Sequence, residues 1–310
     1  MALGPSVKDK NKALLIVNPA AGQSSATAFA KKLCSALDGL DPCVFYIKDA
    51  QSKVNLATLL NQSPGFRVAF ILGGDGTLFH ILPLLEKYSL PIIPVPVGSA
   101  NDLATEFGVT LDAQKIIERL NRCDTEKIDL LSVNSQHFAT VAGVGIGAKV
   151  VQSFNASRSE GVFSSFARKI CAKNFYKLLV LQNAFHTDSF TKKYRIHING
   201  CDHFFESSGV FISNTKKLGQ DMTMCDSASL QDGVFEVMVA PKLEPYALLK
   251  SLLSLSKGII PSSFHSLKGA HCRIESIGKK GTLHFADGED LGIARVLDYT
   301  CLPSRLTVFQ

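Results

Sequence analysis

The sequence has no window near the ~18 uninterrupted apolar residues of a membrane span. Its longest candidate, "YALLKSLLSLSKGIIP", is broken by lysines and serines. The opening "MALGPSVKDKNKALLIVNP" has only a short apolar stretch, which runs into Asn-Pro, so it does not read as a signal peptide. Eight cysteines show no CxxC or CxxxC spacing, which excludes a zinc ribbon and a disulfide framework and leaves reduced, cytoplasmic thiols as the expectation. The eight histidines contain no HExxH pair, and there is no GxxxxGK[ST], so neither a zincin nor a P-loop enzyme is expected. No dense basic run accompanies the net charge of +6, so nucleic acid is not expected as a partner. That mild excess suits a nucleotide or an acidic membrane surface instead. Internal repeats and low-complexity linkers are also missing.

What is present is enough chain, 310 residues, for two domains with a sizeable core. "ALLIVNP" (13–19), "CVFYI" (43–47), "VAFILGG" (68–74) and "PIIPVPVG" (91–98) read as strands, the last as an edge or irregular one because of its prolines. Between and after them, "SATAFAKKLCSALDGL", "VNLATLLNQ", "TLFHILPLLEKY" and "DAQKIIERLNR" read as helices. This alternation predicts an α/β domain with a doubly wound parallel sheet covered on both faces. After about residue 128 the segments become short, alternating strands with Asn-Gly, Asp-Gly and Gly turns, which predicts a C-terminal antiparallel β-sandwich domain. Two helical stretches interrupt it, 164–183 and 244–258. The basic stretch within 164–183 reads either as a core-packed helix with a solvated lysine face or as a membrane-facing one.

Three strand-end loops carry the chemistry. "ILGGDGTLFHIL" (71–82) sets Gly73, Gly74 and Gly76 around Asp75 where a buried strand turns into a helix. Such a junction presents backbone N–H groups to an anion, and glycine lets the main chain approach it. Asp75 is out of place beside bare phosphates, so it points to Mg²⁺, an ordered water or a hydroxyl needing orientation. Taken alone, GGDG is equally well explained as a tight turn. "VNPAAG" (17–22) gives a second candidate cradle from Asn18 through Pro19, Ala20 and Ala21 to Gly22. "PVGSANDLATEFG" (96–108) gives a third, in which Ser99 and Asp102 are either functional or simple helix caps. Catalytic loops of parallel sheets lie beyond the carboxyl ends of the strands. Three there together predict a nucleotide-binding edge.

These pieces, in order, resemble the diacylglycerol kinase catalytic-domain family, which includes bacterial lipid kinases, sphingosine kinases and ceramide kinases. The resemblance runs through Asn18-Pro19-x-x-Gly22, Gly73-Gly74-Asp75-Gly76-Thr77, Pro96-x-Gly98-Ser99-x-Asn101-Asp102-x-Ala104 and Ile128-Asp129-Leu130. It continues through "FATVAGVGIGA", Asp232-Gly233, Asp287-Gly288-Glu289 and the closing strand "LPSRLTVF". It implies an ATP- and Mg²⁺-dependent kinase that phosphorylates a lipid hydroxyl, diacylglycerol first. The lipid would be met at a membrane surface by a peripheral protein, with a homodimer compatible with the resemblance. Implied domains are a nucleotide-binding domain over 1–128, completed by the tail 292–310, and a lipid-acceptor sandwich over 129–291. ATP would be bound by residues 18–22, by the loop from Gly73 through Thr77 and Leu78, and by Ser99. Asp75, Asp102 and Asp129 would form an acidic network around magnesium. Ser229, Asp232 and Val234 would hold a second, structural magnesium ion. Glu289 matches the proton acceptor, with Asp75 as the alternative base.

The chain departs from the family pattern at four places. Phe79 and His80 stand where Asn-Glu is usual, and Ser99 replaces Thr. A single Gly219 stands for a glycine run, and a threonine expected near "YIKDA" is absent. Sphingoid bases, ceramide and phosphatidylglycerol stay open as acceptors. NAD kinase, which shares GGDGT, and a non-catalytic nucleotide-binding relative are the other readings.

Overall fold

The computed structural model of the chain describes residues 12–63, 65–159, 191–219, 222–278 and 280–310. The chain divides into two compact units. One ends at Ile128 and is completed by Ser304–Gln310; the other is Asp129–Pro303.

The first unit is α/β. Strands β1 (Lys12–Val17), β2 (Asp41–Tyr46), β3 (Phe66–Gly73) and β4 (Ile92–Pro96) run parallel in the order β4-β3-β1-β2. The helices are α1 (Ser25–Ala36), α2 (Ala50–Gln62), α3 (Asp75–Lys87), α4 (Asp102–Glu106) and α5 (Ala113–Arg122). Leu15, Val17, Phe70 and Leu72 cluster with Phe29 and Leu33 of α1 and with Ile116 and Leu120 of α5. Side chains alternate along a strand, so Leu14, Ile16, Ala69 and Ile71 point to the other face. They are buried too. Leu56 and Leu60 of α2, with Ile81, Leu82 and Leu85 of α3, are buried outside the first cluster and supply cover for that second face. Burial on both faces is why these strands read as unbroken apolar runs.

Two details differ from the sequence reading. The prolines of β4 do not mark an edge. β4 pairs with β3 over Ile92–Pro96, and its other side is met at Ile92 by Val308 of β17 (Val296–Phe309), so Pro94 and Pro96 lie beyond that second pairing. The edge is β2, whose alternating exposure fits the position. Helix α2 also begins four residues before the apolar pattern that starts at Val54. A capping box sets that start: Asp49 Oδ1 accepts the Ser52 N–H at 2.9 Å, and the Ser52 hydroxyl reaches back to the Asp49 N–H.

The second unit is an antiparallel β-sandwich, entered within β5 (Thr125–Val133) and left within β17. Its centre is β9 (Cys201–Ser213). The first half of β9 pairs with β8 (Lys192–Ile198), and its buried second half lies between β7 (Val141–Gly145) and β12 (Phe235–Pro241). The remaining strands are β6 (Gln136–Phe138), β10 (Lys217–Leu218), β11 (Met222–Thr223), β13 (His265–Gly269), β14 (His271–Ile277), β15 (Thr282–Ala286) and β16 (Glu289–Ala294). Helices α6 (Ile146–Ser159) and α7 (Pro245–Leu255) pack Val150, Val151, Leu248 and Leu255 into one core with Phe211, Met238 and Phe285. The tail expected from 292 therefore starts later. β16 pairs with β15, and Val296–Thr300 with β14, so the first unit takes only 304–310. The helix expected over 164–183 lies outside the described residues.

Candidate active site

In the first unit, the three glycine-bearing loops meet at the carboxyl ends of β1, β3 and β4. The Asn18 side-chain amide donates to Thr77 Oγ1 at 3.0 Å, which ties the first loop to the first turn of α3. Asn18 Oδ1 accepts the Ala20 N–H at 3.0 Å, and the Ala21 N–H donates to the Asn18 carbonyl at 3.0 Å. Two amides of the expected 18–22 cradle are thus engaged within the loop itself. Gly22 has a left-handed φ of +56, and a Cβ there would lie 2.5 Å from the Val97 carbonyl oxygen. Its glycine is required both by conformation and by contact.

Helix α3 starts at Asp75, with Gly74 as N-cap in an extended conformation. A glycine cap brings no side chain to the first helical amides, and those amides with the helix dipole are what an anionic ligand uses. Asp75 sits in that first turn, where the dipole favours a carboxylate. The N–H groups of Thr77 and Leu78 return to the Gly74 carbonyl at 2.9 and 3.2 Å. Leu78 and Thr77 are buried, and Gly73 is fitted against the Thr77 side chain, which a Cβ on Gly73 would meet at 2.5 Å.

The third loop is organised by Asn101, buried and left-handed (φ 57). Its side chain accepts the Gly98 N–H and donates to the Gly98 carbonyl, both at 2.8 Å. Asn101 is also the N-cap residue of α4, with no side-chain hydrogen bond to the helix amides. Ser99 is exposed beside this clamp, and Asp102 is buried in the first turn of α4.

In the second unit, Asp129 is buried and committed to the 229–234 turn. Its N–H donates to the Leu230 carbonyl at 2.6 Å, and Oδ2 accepts the Gly233 N–H at 2.7 Å. The Asn214 side-chain amide bridges the carbonyls of Asp129 and Ala139 at 2.9 and 3.0 Å. Its Oδ1 is a buried acceptor with no hydrogen-bond partner among the described residues. Asp287 and Gly288 form the β15–β16 turn with positive φ (44 and 79), the pair that a tight hairpin of type I′ needs. The Asp287 carboxylate accepts the N–H groups of Ala139, Thr140 and Val141 at 2.7, 2.9 and 3.3 Å and the Thr140 hydroxyl at 2.7 Å. Burial pushes its carboxyl pKa up, and these four donors pull against that. Asp287 is a staple, and Glu289, half-buried at the start of β16, is held by it.

The expected metal turn is filled differently. Lys268 Nζ lies 2.9 Å from Asp232 Oδ2 and 3.3 Å from buried Glu236, and Asp232 Oδ1 faces the Val234 N–H at 3.3 Å. The Lys268 ammonium is held above its usual range, first by Asp232. Ser229 Oγ accepts the Gln231 N–H at 3.3 Å. A divalent cation fits poorly at a carboxylate already facing a lysine. Among the described residues no group of three or more His, Cys, Asp or Glu side chains forms a metal cluster.

Sequence reasoning passed over Gly98, Asn101, Thr140 and Asn214 as site residues. Gly98, Asn101 and Thr140 lie within the resembling motifs, and Asn214 carries no signal in its surroundings.

Comparison with known proteins matches residues 12–133 to the diacylglycerol kinase catalytic domain. Residues 142–310 match the YegS C-terminal NAD kinase beta sandwich-like domain. Among curated relatives, a protein named probable lipid kinase YegS-like from Pseudomonas syringae pv. tomato is 29% identical over 68% of this chain and 65% of its own length. One of the same name from Alcanivorax borkumensis is 27% identical over 57% and 56%. The chain thus spans less than two thirds of the length of these relatives. A diacylglycerol kinase from Mycobacterium tuberculosis is 22% identical over 96% of this chain and 95% of its own. The crystal structure of a diacylglycerol kinase from Bacillus anthracis has the same fold, with a TM-score of 0.69, 18% identity and coverage of 96% of each chain.

Proposed function

The chain belongs to the diacylglycerol kinase catalytic-domain family, and we propose that it transfers the γ-phosphate of ATP to a lipid hydroxyl, diacylglycerol being the favoured acceptor. The observation that carries this reading is the convergence of the 18–22, 73–78 and 97–101 loops on one sheet edge, locked by Asn18–Thr77 and by the contact of Gly74 with Gly98. Phosphoryl transfer asks a protein mainly for positioning and charge stabilisation. A rigid glycine edge leading into the α3 amides supplies a place for phosphate oxygens. Asp75 and Asp102, hard oxygen donors in the first turns of α3 and α4, are the carboxylates assigned to Mg²⁺. Bound with the nucleotide, Mg²⁺ would neutralise phosphate charge. Glu289 is assigned the proton of the acceptor hydroxyl. Asp129, engaged by Gly233, and Asp232, engaged by Lys268, are given structural roles in this reading.

The test is incubation of the full chain with radiolabelled ATP, Mg²⁺ and a lipid panel in mixed micelles, followed by chromatography. Label in phosphatidic acid is the expected result. Label in sphingoid, ceramide or phosphatidylglycerol products would move the acceptor. Conversion of NAD to NADP with no lipid product would replace the reading with NAD kinase.

A further inference from the structure

Helix α7 displays an apolar and basic stripe that the folding core does not use. Leu248, Ser251 and Leu255 are its buried side, packed with the second unit's core. Tyr246, Lys250 and Leu253, spaced i, i+4 and i+7, are exposed, and so is Lys257 in the turn that follows the helix. That spacing lines one helix face. Tyr246 is 79% and Leu253 53% exposed, and Ile259 just past the helix is 59% exposed. Three large apolar side chains in water so close along the chain are more than the scattered exposure of an ordinary surface.

Along the segment itself, past the N-cap, the charges have one sign. From Pro245 through Ile274 the sequence contains no acidic residue. The end of α7 also lies against a second basic element: a Cβ on Gly258 would be 3.8 Å from Thr223 Oγ1, and Thr223 pairs across the β10–β11 ladder with exposed Lys217. Exposed Lys216 precedes it. Glu244, the N-cap of α7, is the acid at the helix's far end.

We infer that this face of α7 docks on the anionic surface of a lipid bilayer. Apolar side chains flanked by lysines, with a tyrosine whose hydroxyl can stay at headgroup level, are what an interfacial helix presents to such a surface. A partner protein groove would satisfy the leucine and tyrosine, but the lysines would need matching acids; an anionic leaflet supplies both. The ~16 Å of α7 lies in the membrane plane. The inference deepens the lipid-kinase reading and rests on it for its purpose, since a hydrophobic acceptor must be met at a bilayer.

The experiment is sedimentation of the full chain with vesicles of phosphatidylcholine alone or mixed with phosphatidylglycerol, without nucleotide. Wild type should bind the anionic vesicles, less so at high salt. The pair Lys250→Glu with Lys257→Glu, and separately Tyr246→Ser with Leu253→Ser, should each weaken binding by at least ~10-fold. All variants should keep wild-type melting temperature, and any kinase activity toward micelle-dispersed lipid should be unchanged. Wild-type failure to bind, equal binding by the folded variants, or a concentration-dependent dimer abolished by Leu253→Ser would overturn the inference. Vesicle binding without lipid phosphorylation would sink the kinase reading alone.

Discussion

Gly74 and Gly98 touch through their backbones: a Cβ on Gly98 would lie 2.4 Å from the Gly74 Cα, whereas one on Gly74 would lie 3.3 Å from the Gly98 Cα. The contact is asymmetric, so the two positions should respond differently to the same methyl group. Gly98→Ala cannot be accommodated without moving main chain at the nucleotide edge, and Gly74→Ala needs only a few tenths of an ångström. A displacement near 1 Å at a positioning loop lowers turnover by about a hundredfold. Gly98→Ala should therefore lose ATP binding and activity to that extent, with Gly74→Ala clearly milder. Nucleotide titration by calorimetry, alongside thermal melts, checks the order. Equal affinities in both variants would mean that the edge tolerates separation of its loops.

Much of this was legible in the sequence because buried parallel strands and glycine turns leave strong local patterns. β1, β3 and the start of α3 stand where the apolar runs and GGDGT put them. Helix α6 was not legible as a helix. Its opening IGAKVV combines a glycine with β-branched valines, a composition that favours strands. What joins Asp129 to the 229–234 turn and Asp287 to residues 139–141 was also out of reach. These bonds link residues about a hundred or more positions apart (|i−j| of 104 and 146–148). Asp287-Gly288 announces a hairpin, and it is one, but nothing local says where the carboxylate points.

The Lys268 ammonium faces the Asp232 turn, where the resemblance would put a divalent cation. The ammonium serves Asp232 and Glu236 together, and Glu236 is buried with Ser227 Oγ at 2.8 Å. Lys268→Met strands a buried carboxylate, which costs about 1–3 kcal/mol. The melting temperature should fall, and MgCl₂ should recover part of the loss. Wild type without nucleotide should not respond to MgCl₂. Asp232→Asn should be milder, because exposed ion pairs contribute little. A wild-type melting temperature that rises with Mg²⁺ and no longer does so in Asp232→Asn would restore the metal assignment.

His80 stands on α3 with Lys53 Nζ of α2 at 3.1 Å from its Nδ1. Desolvation of the ring, and then the lysine charge, lower its pKa. A lowered pKa in the folded state means the unfolded chain takes up the proton more readily. The stabilisation is therefore complete above the ordinary histidine range near ~6.5 and is lost as pH falls through the depressed value. Melts should show weakening of the first unit between pH 7.5 and 5.5. His80→Gln should flatten that dependence, and Lys53→Met, by removing one cause of the lowered pKa, should make it smaller. A profile unchanged by either substitution would assign the effect to other groups.

The last test separates Glu289 from its staple. Asp287 holds the hairpin through four donors on residues 139–141, and Glu289 pairs with Ala286 in register at the start of β16. Asp287→Asn must turn an amide nitrogen toward backbone N–H groups or give up part of its bonds. It should lower the melting temperature and reduce activity together. Glu289→Gln preserves size and hydrogen bonding at a half-buried site, so its melting temperature should match wild type. If Glu289 takes the proton from the acceptor hydroxyl, kcat should drop by about a hundredfold or more while KM for ATP stays nearly constant. Asp75→Asn should instead raise KM for Mg²⁺-ATP as well as lower kcat, because that carboxylate lies in the first turn of α3 at the phosphate edge. A Glu289→Gln enzyme with near-normal kcat, together with a collapse of kcat alone in Asp75→Asn, would move the base to Asp75.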